Sequence, residues 1–153
     1  MDTNVFIPHW EEFMSRLQTG MYCNMATVDR QNRPRSRMIH PVWELVADKP
    51  IGWLISWPKS HKAKHLAHNP HVSLAYIHDL QKPVYVDCTA EWVTDTTEQW
   101  RVWELHKQIP QPIGFDPEPH YGNIEHEYFG LLKFIPWRVE LGSLSGEKTI
   151  WRI

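Results

Sequence analysis

Short apolar segments separated by turn-forming residues recur along most of the chain. Each is too short for a long helix, and several alternate apolar with polar residues, which is typical of strands. The segments are residues 21–29, 34–45, 51–57, 71–78 and 83–93, followed by two or three closing strands within residues 128–144 and 148–153. Strands joined mainly by hairpins favour an antiparallel architecture, so we expect a mainly β (α+β) fold, an antiparallel barrel with inserted helices.

Three helices are predicted between these strands. The first begins at Trp10 and stops before Gly20. The second follows Ser60, a good N-cap, and ends before Asn69-Pro70. The third follows Asp95, whose spacing to Glu98 suggests a capping box. The proline-rich stretch 109–123 is predicted to be a loop.

The length and composition limit the classes of protein that the chain can represent. A chain of 153 residues suits one domain, residues 1–153, and 42% hydrophobic residues argue against disorder. A net charge of −2 does not suggest nucleic-acid binding. We expect no membrane span and no signal peptide, and therefore a cytoplasmic protein. Cys23 and Cys88 are expected to be buried thiols.

Basic residues are concentrated at the start of the second helix, within "WPKSHKAKH". The free N–H groups and the dipole of a helix already create positive potential there, so a helix alone would favour acids. The nearby segment "RPRSRMIH", residues 33–40, is also basic. Strand periodicity puts Arg33, Arg35, Arg37 and Ile39 on one face and Pro34, Ser36, Met38 and His40 on the other. A solvated sheet edge would explain these arginines. A bound phosphate would explain both groups of cations together, with the hydroxyl groups of Ser56 and Ser60.

These segments resemble a known family. "KSHKAKHLAHNPHVSLAY", with "ATVDRQNRPRSRMIHPVWE" before it and "VYVDCTAEWV" after it, is similar to the pyridoxamine 5′-phosphate oxidase-like family of flavin-binding split β-barrels. The similarity runs from about Met21 to Val93 and resumes at "KFIPWRVELGSLSG". The spacing of serine, lysine and Asn-Pro links a phosphate-binding helix start to the next strand, which makes the pattern specific.

The resemblance implies an antiparallel split β-barrel of Greek-key type. It also implies FMN as the cofactor and assigns residues to it. The phosphate-binding residues would be Arg37, Ser60, His61 and Lys62, with His61 where an arginine is common. The ribityl chain and the ring would be approached by Met38, Ile39, His40, Ile55 and Ser56. The resemblance also implies a homodimer with the cofactor pocket at the subunit interface, and it leaves room for a small-molecule substrate.

The chain departs from the oxidase that gives the family its name. Val42 stands where the oxidase has a lysine near the flavin, and Pro83 stands where it has a glutamine. The arginine-serine segment for the substrate phosphate is replaced by "IPQPIGFDPEPH". The terminal "GEKTIWRI" lacks the oxidase's arginine-leucine-histidine motif. These departures argue against vitamin B6 oxidation.

Other candidate groups receive weaker predictions. His61, His65 and His68 are spaced for one helix face, but no carboxylate or cysteine accompanies them, and we assign no metal site. Trp43 and Trp57 are the two tryptophans considered for stacking on a flat ligand. His40 is the one weak candidate for proton transfer near the flavin, since an imidazole titrates near neutral pH.

The expected function is that of an FMN-binding protein, a flavin-dependent oxidoreductase of unknown substrate. A non-catalytic flavin or ligand carrier, or a stress sensor, is the alternative from a different class. The same barrel could also use deazaflavin or haem. The sequence does not identify the substrate or the electron donor.

Overall fold

The computed structural model describes residues 1–153 and is built mainly from strands. Four helices interrupt the strands: α1 (Trp10–Gln18), α2 (His61–His68), α3 (Thr96–Gln108) and α4 (Glu118–Tyr121), with a 3-10 turn at Ile7–His9 before α1. The nine strands are β1 (Asp2–Thr3), β2 (Cys23–Val28), β3 (Pro34–Ile39), β4 (Val42–Val46), β5 (Lys49–Ile55), β6 (His71–Tyr76), β7 (Val84–Trp92), β8 (Leu131–Leu141) and β9 (Thr149–Arg152).

All nine strands belong to one sheet, ordered β1-β9-β8-β7-β6-β2-β3, with β5 also paired to β8 and β4 paired to β5. Every pair is antiparallel except β1 with β9, so the sheet is mixed, and its hydrogen-bonded path does not close. The predicted mainly β split-barrel class with inserted helices is confirmed. No helix combines the length and apolar character that crossing a bilayer requires.

The prediction of one strand over residues 34–45 is wrong. β3 ends at Ile39 after pairing with β2, and β4 starts at Val42 and pairs instead with β5. Pro41 lies between them and has no N–H to donate to a ladder, so the chain changes partner at this point. The prediction of continuous loop over 109–123 also needs correction, because α4 forms within it.

Side-chain hydrogen bonds and backbone conformation account for two hairpin turns, one between β2 and β3 and one between β4 and β5. Between β2 and β3, the carboxylate of Asp29 accepts hydrogen bonds from the backbone N–H groups of Gln31 (2.9 Å) and Arg33 (3.0 Å). Between β4 and β5, Ala47 and Asp48 both have positive φ, which is the backbone twist that a two-residue hairpin requires. These turns fix the register of β3 and β5, the two strands predicted to approach the cofactor.

The core consists of two apolar clusters. The larger one lies between α1 and the main sheet and contains Trp43, which is 2% exposed and donates from Nε1 to the Tyr76 hydroxyl at 2.9 Å. Trp43 is therefore a core residue and is unavailable for stacking on a ligand, the role for which it was considered from the sequence. The smaller cluster joins β4, β5 and α3. Cys23 and Cys88 are buried free thiols, and burial raises the pKa of Cys23 to about 12.

Candidate functional site

The start of α2 lies directly after the end of β5. Ser60 is its N-cap, as predicted, and its hydroxyl accepts a hydrogen bond from the N–H of Ala63 at 3.4 Å. Ser56 is buried in the connection, where its backbone N–H donates to the carbonyl of Gly130 at 2.9 Å. In the first turn, His61 is exposed and Lys62 is half-buried. The connection thus fixes the position of a helix N-terminus beside a partly buried ammonium group.

Lys62 has no anionic partner in the protein. Its ammonium group makes no ion pair, and its pKa is lowered first by burial and then by repulsion from the Arg37 guanidinium. A half-buried cation next to another cation is unfavourable unless an anion compensates them. Arg37, on β3, therefore lies near enough to Lys62 for its charge to lower the pKa of Lys62.

Arg37 is held by the neighbouring strand and by α2. Its Nη1 donates to the carbonyl of Met25 at 3.0 Å and to the hydroxyl of Thr27 at 2.7 Å, and its Nη2 donates to Nδ1 of His65 at 3.3 Å. Arginine carries five N–H donors, so the Nε–H and one Nη2–H have no protein partner. The guanidinium is thus oriented by the protein and retains donors for an anion.

The sequence did not identify His65 as a residue of the anion site. It was considered only with His61 and His68, as a possible metal ligand. It is buried, and Nδ1 must be an acceptor, because both Arg37 and the Thr27 hydroxyl (2.8 Å) donate to it. Burial lowers its pKa, and the positive charge of Arg37 lowers it further. Its position between Ala63 and Leu66, on the face of α2 that packs against the sheet, was the available signal. His65 keeps Arg37 in place as a neutral ring.

The other arginines of the basic strand have a nearby carboxylate. Arg33 Nε lies 2.9 Å from Asp29 Oδ2, and Arg35 Nη1 lies 3.6 Å from it. Hydrogen bonds from Arg33, the backbone N–H first, lower the pKa of Asp29 to about 2, so this carboxylate is ionised at neutral pH. The explanation by a solvated edge therefore suits Arg33 and Arg35, whereas Arg37 and Lys62 remain uncompensated.

The remaining predicted residues on β3 have different environments. Met38 is 61% exposed, whereas the side chain of Ile39 is buried in the larger core cluster and leaves only its backbone for a ligand. His40 follows the strand, and its Nε2–H donates to the carbonyl of Ile113 at 2.7 Å. Burial lowers the pKa of His40, so its ring is neutral at pH 7. On β5, Ile55 is partly buried against the smaller core cluster.

The arrangement suits a small dianion. It combines a capped helix N-terminus, an ammonium without an ion pair and a guanidinium that contacts the same helix. Phosphate is a ligand that such donors bind. The ring of His65, which orients Arg37, is neutral and therefore adds no positive charge to the site.

Solved structures with the same fold come from several bacteria. A pyridoxamine 5′-phosphate oxidase-related, FMN binding protein from Nostoc punctiforme is 15% identical over 94% of this chain and 89% of its own, with a TM-score of 0.64. A NimC/NimA family protein from Clostridium acetobutylicum is 14% identical over 98% and 96%, with a TM-score of 0.73. HutZ, the haem storage protein of Vibrio cholerae, is 22% identical over 89% and 94%, with a TM-score of 0.60.

A comparison with curated proteins gives no match. The family model described as pyridoxamine 5′-phosphate oxidase matches residues 9–122, a range that contains α1, the basic strand β3, all of α2 and the Arg37 network. This match covers most of the chain, and the solved structures share its fold. The chain belongs to the pyridoxamine 5′-phosphate oxidase family.

Proposed function

We propose that this protein binds FMN and acts as a flavin-dependent oxidoreductase. The phosphate is bound by Arg37, Ser60, His61 and Lys62. The observation that carries this proposal is a pair of half-buried cations without an ion pair: Arg37 lowers the pKa of Lys62, and burial lowers the pKa of both. A phosphate dianion removes the electrostatic penalty of both.

Five further residues are proposed to approach the ribityl chain and the ring: Met38, Ile39, His40, Ile55 and Ser56. Bound FMN would supply two-electron redox chemistry, while the protein orients the flavin and excludes water. Ile39 contributes through its backbone, since its side chain is in the core. The exposed side chain of Met38 suits a pocket that a second subunit completes, and we propose a homodimer on that basis. His40 borders the pocket, but its Nε2–H is engaged by Ile113, which disfavours proton transfer from that nitrogen.

Replacing Lys62 with alanine is expected to weaken FMN binding by roughly 1.5–3 kcal/mol, the range for a lost hydrogen bond between charged groups. Isothermal titration calorimetry or quenching of flavin fluorescence measures the change. Lys64→Ala is the matched control, since Lys64 lies on the same helix but is exposed. We expect this control to keep nearly the full affinity.

Two outcomes would contradict the phosphate assignment. If Lys62→Ala and Lys64→Ala weaken binding equally, the helix contributes only a diffuse positive field. If the unsubstituted protein binds no FMN, the proposed cofactor is wrong.

Turnover separates an oxidoreductase from a flavin carrier or sensor. Mixing the FMN-loaded protein with NADH or NADPH without oxygen, in a stopped-flow spectrometer, is expected to bleach the flavin band within seconds. A band that persists for many minutes with both donors would favour a carrier.

Haem is the second candidate ligand, because the fold is shared with HutZ, a haem storage protein, and because haem carries two anionic propionates that the cation pair could bind. Deazaflavin would use the same phosphate site as FMN. An absorption spectrum of the purified protein distinguishes a Soret band from the flavin and deazaflavin bands. Sedimentation equilibrium tests the homodimer.

A further inference from the structure

A cleft lies at the end of β3, beyond His40, with a lining that includes none of the proposed phosphate-binding residues. It has a volume of about 440 Å³ and is formed where the proline-rich segment after α3 folds back over His40 and Met21. The side chains that matter for its chemistry are His40, Gln111, Phe115, His120 and Tyr121. This volume is within the range typical of small-molecule sites.

Backbone contacts hold the segment in place. The N–H of Phe115 donates to the carbonyl of His106 at 3.0 Å, and the N–H of Gly114 donates to the carbonyl of Pro110 at 3.0 Å. Gly114 approaches the end of α3 so closely that a Cβ there would lie 1.9 Å from the carbonyl oxygen of Ile109. His40 donates to the carbonyl of Ile113 from the other side. The cleft is therefore largely preformed.

Aromatic rings make up much of the wall. The ring of Phe115 lies 5.4 Å from that of His40 and 6.2 Å from that of His120, and the ring of Tyr121 lies 6.3 Å from that of His120. Such surfaces contribute binding energy mainly through contact with another flat ring. The shape and composition of the wall thus favour a planar aromatic ligand.

The polar side chains of the cleft are imidazole, amide and phenol groups. Its lining contains no lysine, arginine, aspartate or glutamate. Burial lowers the pKa of His40, so its ring is neutral, and burial raises the pKa of Tyr121, so its phenol stays protonated at pH 7. With Nε2–H engaged by Ile113, the free nitrogen of His40 is an acceptor, and Gln111 offers both a donor and an acceptor. A charged ligand would lose hydration here without gaining a counter-ion.

We infer that this cleft binds the substrate, and that the substrate is an uncharged planar aromatic compound that carries hydrogen-bonding groups. The inference rests on the proposed flavin site, since His40 belongs to both. The substrate therefore needs no phosphate of its own. The two cations proposed to bind phosphate, Arg37 and Lys62, bind the phosphate of the cofactor.

The test compares 2-naphthol with 2-naphthoate by calorimetry on the FMN-loaded protein. We expect 2-naphthol to bind at least about tenfold more tightly, because the carboxylate lacks a counter-ion in the cleft. Phe115→Ala is expected to abolish most of the binding of 2-naphthol without changing the affinity for FMN. Trp137→Ala is the control, since Trp137 borders a separate apolar groove of about 260 Å³ that could also take a naphthyl ring.

Gln111→Lys provides a second variant at an exposed position, where the fold should tolerate the change. We expect this substitution to reverse the preference, with 2-naphthoate now binding more tightly than 2-naphthol. Equal binding of the two probes, loss of 2-naphthol binding in Trp137→Ala only, or displacement of FMN by 2-naphthol would overturn the inference. FMN affinity is measured first and separately. If FMN does not bind, the proposed function fails, and titration of the protein with the two probes still decides the ligand class of the cleft.

Discussion

Replacing Trp43 with alanine is expected to lower the free energy of unfolding by about 3–5 kcal/mol, the range for truncating a buried aromatic residue. The indole ring packs edge-on against Phe13, with centroids 5.3 Å apart, and its Nε1–H donates to the hydroxyl of Tyr76. Gly52 lies against the same ring, where a Cβ would come within 2.8 Å of it. The substitution therefore leaves a large cavity and removes the donor to a buried hydroxyl. Chemical denaturation followed by circular dichroism measures the loss.

Two further variants divide this effect into its parts. Trp43→Phe keeps most of the volume but removes the hydrogen bond, so we expect a smaller loss than for alanine. Trp57→Ala removes a tryptophan that is 42% exposed, and we expect a change of less than about 1 kcal/mol. A similar loss for Trp57→Ala and Trp43→Ala would contradict the assignment of Trp43 to the core.

Between pH 6.5 and about 4 the protein is expected to lose stability on the order of 3 kcal/mol through His106 alone, since one pKa unit corresponds to about 1.4 kcal/mol. His106 is fully buried in α3, where Nδ1–H donates to the carbonyl of Val102 at 2.8 Å and Nε2 has no partner. Burial lowers its pKa to about 4. The unfolded chain binds the proton below pH 6.5 and the folded protein does so only near pH 4, so acid favours unfolding across this window.

Thermal or urea denaturation of the unsubstituted protein and of a His106→Phe variant, each at several pH values, measures this contribution. His106→Phe keeps a ring of similar size but cannot titrate, so we expect a flatter dependence of the free energy of unfolding on pH between 6.5 and 4. Burial also lowers the pKa values of His40 and His65, so part of the slope should remain. An unchanged slope in His106→Phe would show that His106 is protonated at its ordinary pKa in the folded protein.

The strands were predictable because each carries its own signal. Alternation, turn residues and caps are local, and the caps at Ser60 and Asp95 are found where expected, with Asp95 accepting from the N–H of Thr97. Glu98, by contrast, pairs with Arg101 instead of completing the predicted capping box. The break at Pro41 was missed because the apolar pattern continues across it, and only pairing with a distant strand shows that β3 and β4 are separate.

Cations at a helix start are anomalous in any fold, so the sequence alone indicated an anion site near the start of α2. The resemblance to the family then singled out Arg37 and Lys62. The residues that orient them were not predicted, since Thr27 and His65 are ordinary in their own segments and meet only through packing of α2 on β2. The aromatic cleft was missed for the same reason, because Phe115 and His40 are far apart in sequence.

The pairing of β8 has a consequence for the motions of the protein. β8 is hydrogen-bonded to β7 along one edge and to β5 and then β9 along the other, whereas β3 is paired only with β2. Amide protons of β8 should exchange with deuterium only on global unfolding, while those on the free edge of β3 exchange through local opening. Arg37, Met38 and Ile39 therefore lie on a strand that can open locally without disturbing the centre of the sheet. A ligand bound there should slow exchange in β3 and leave exchange in β8 unchanged.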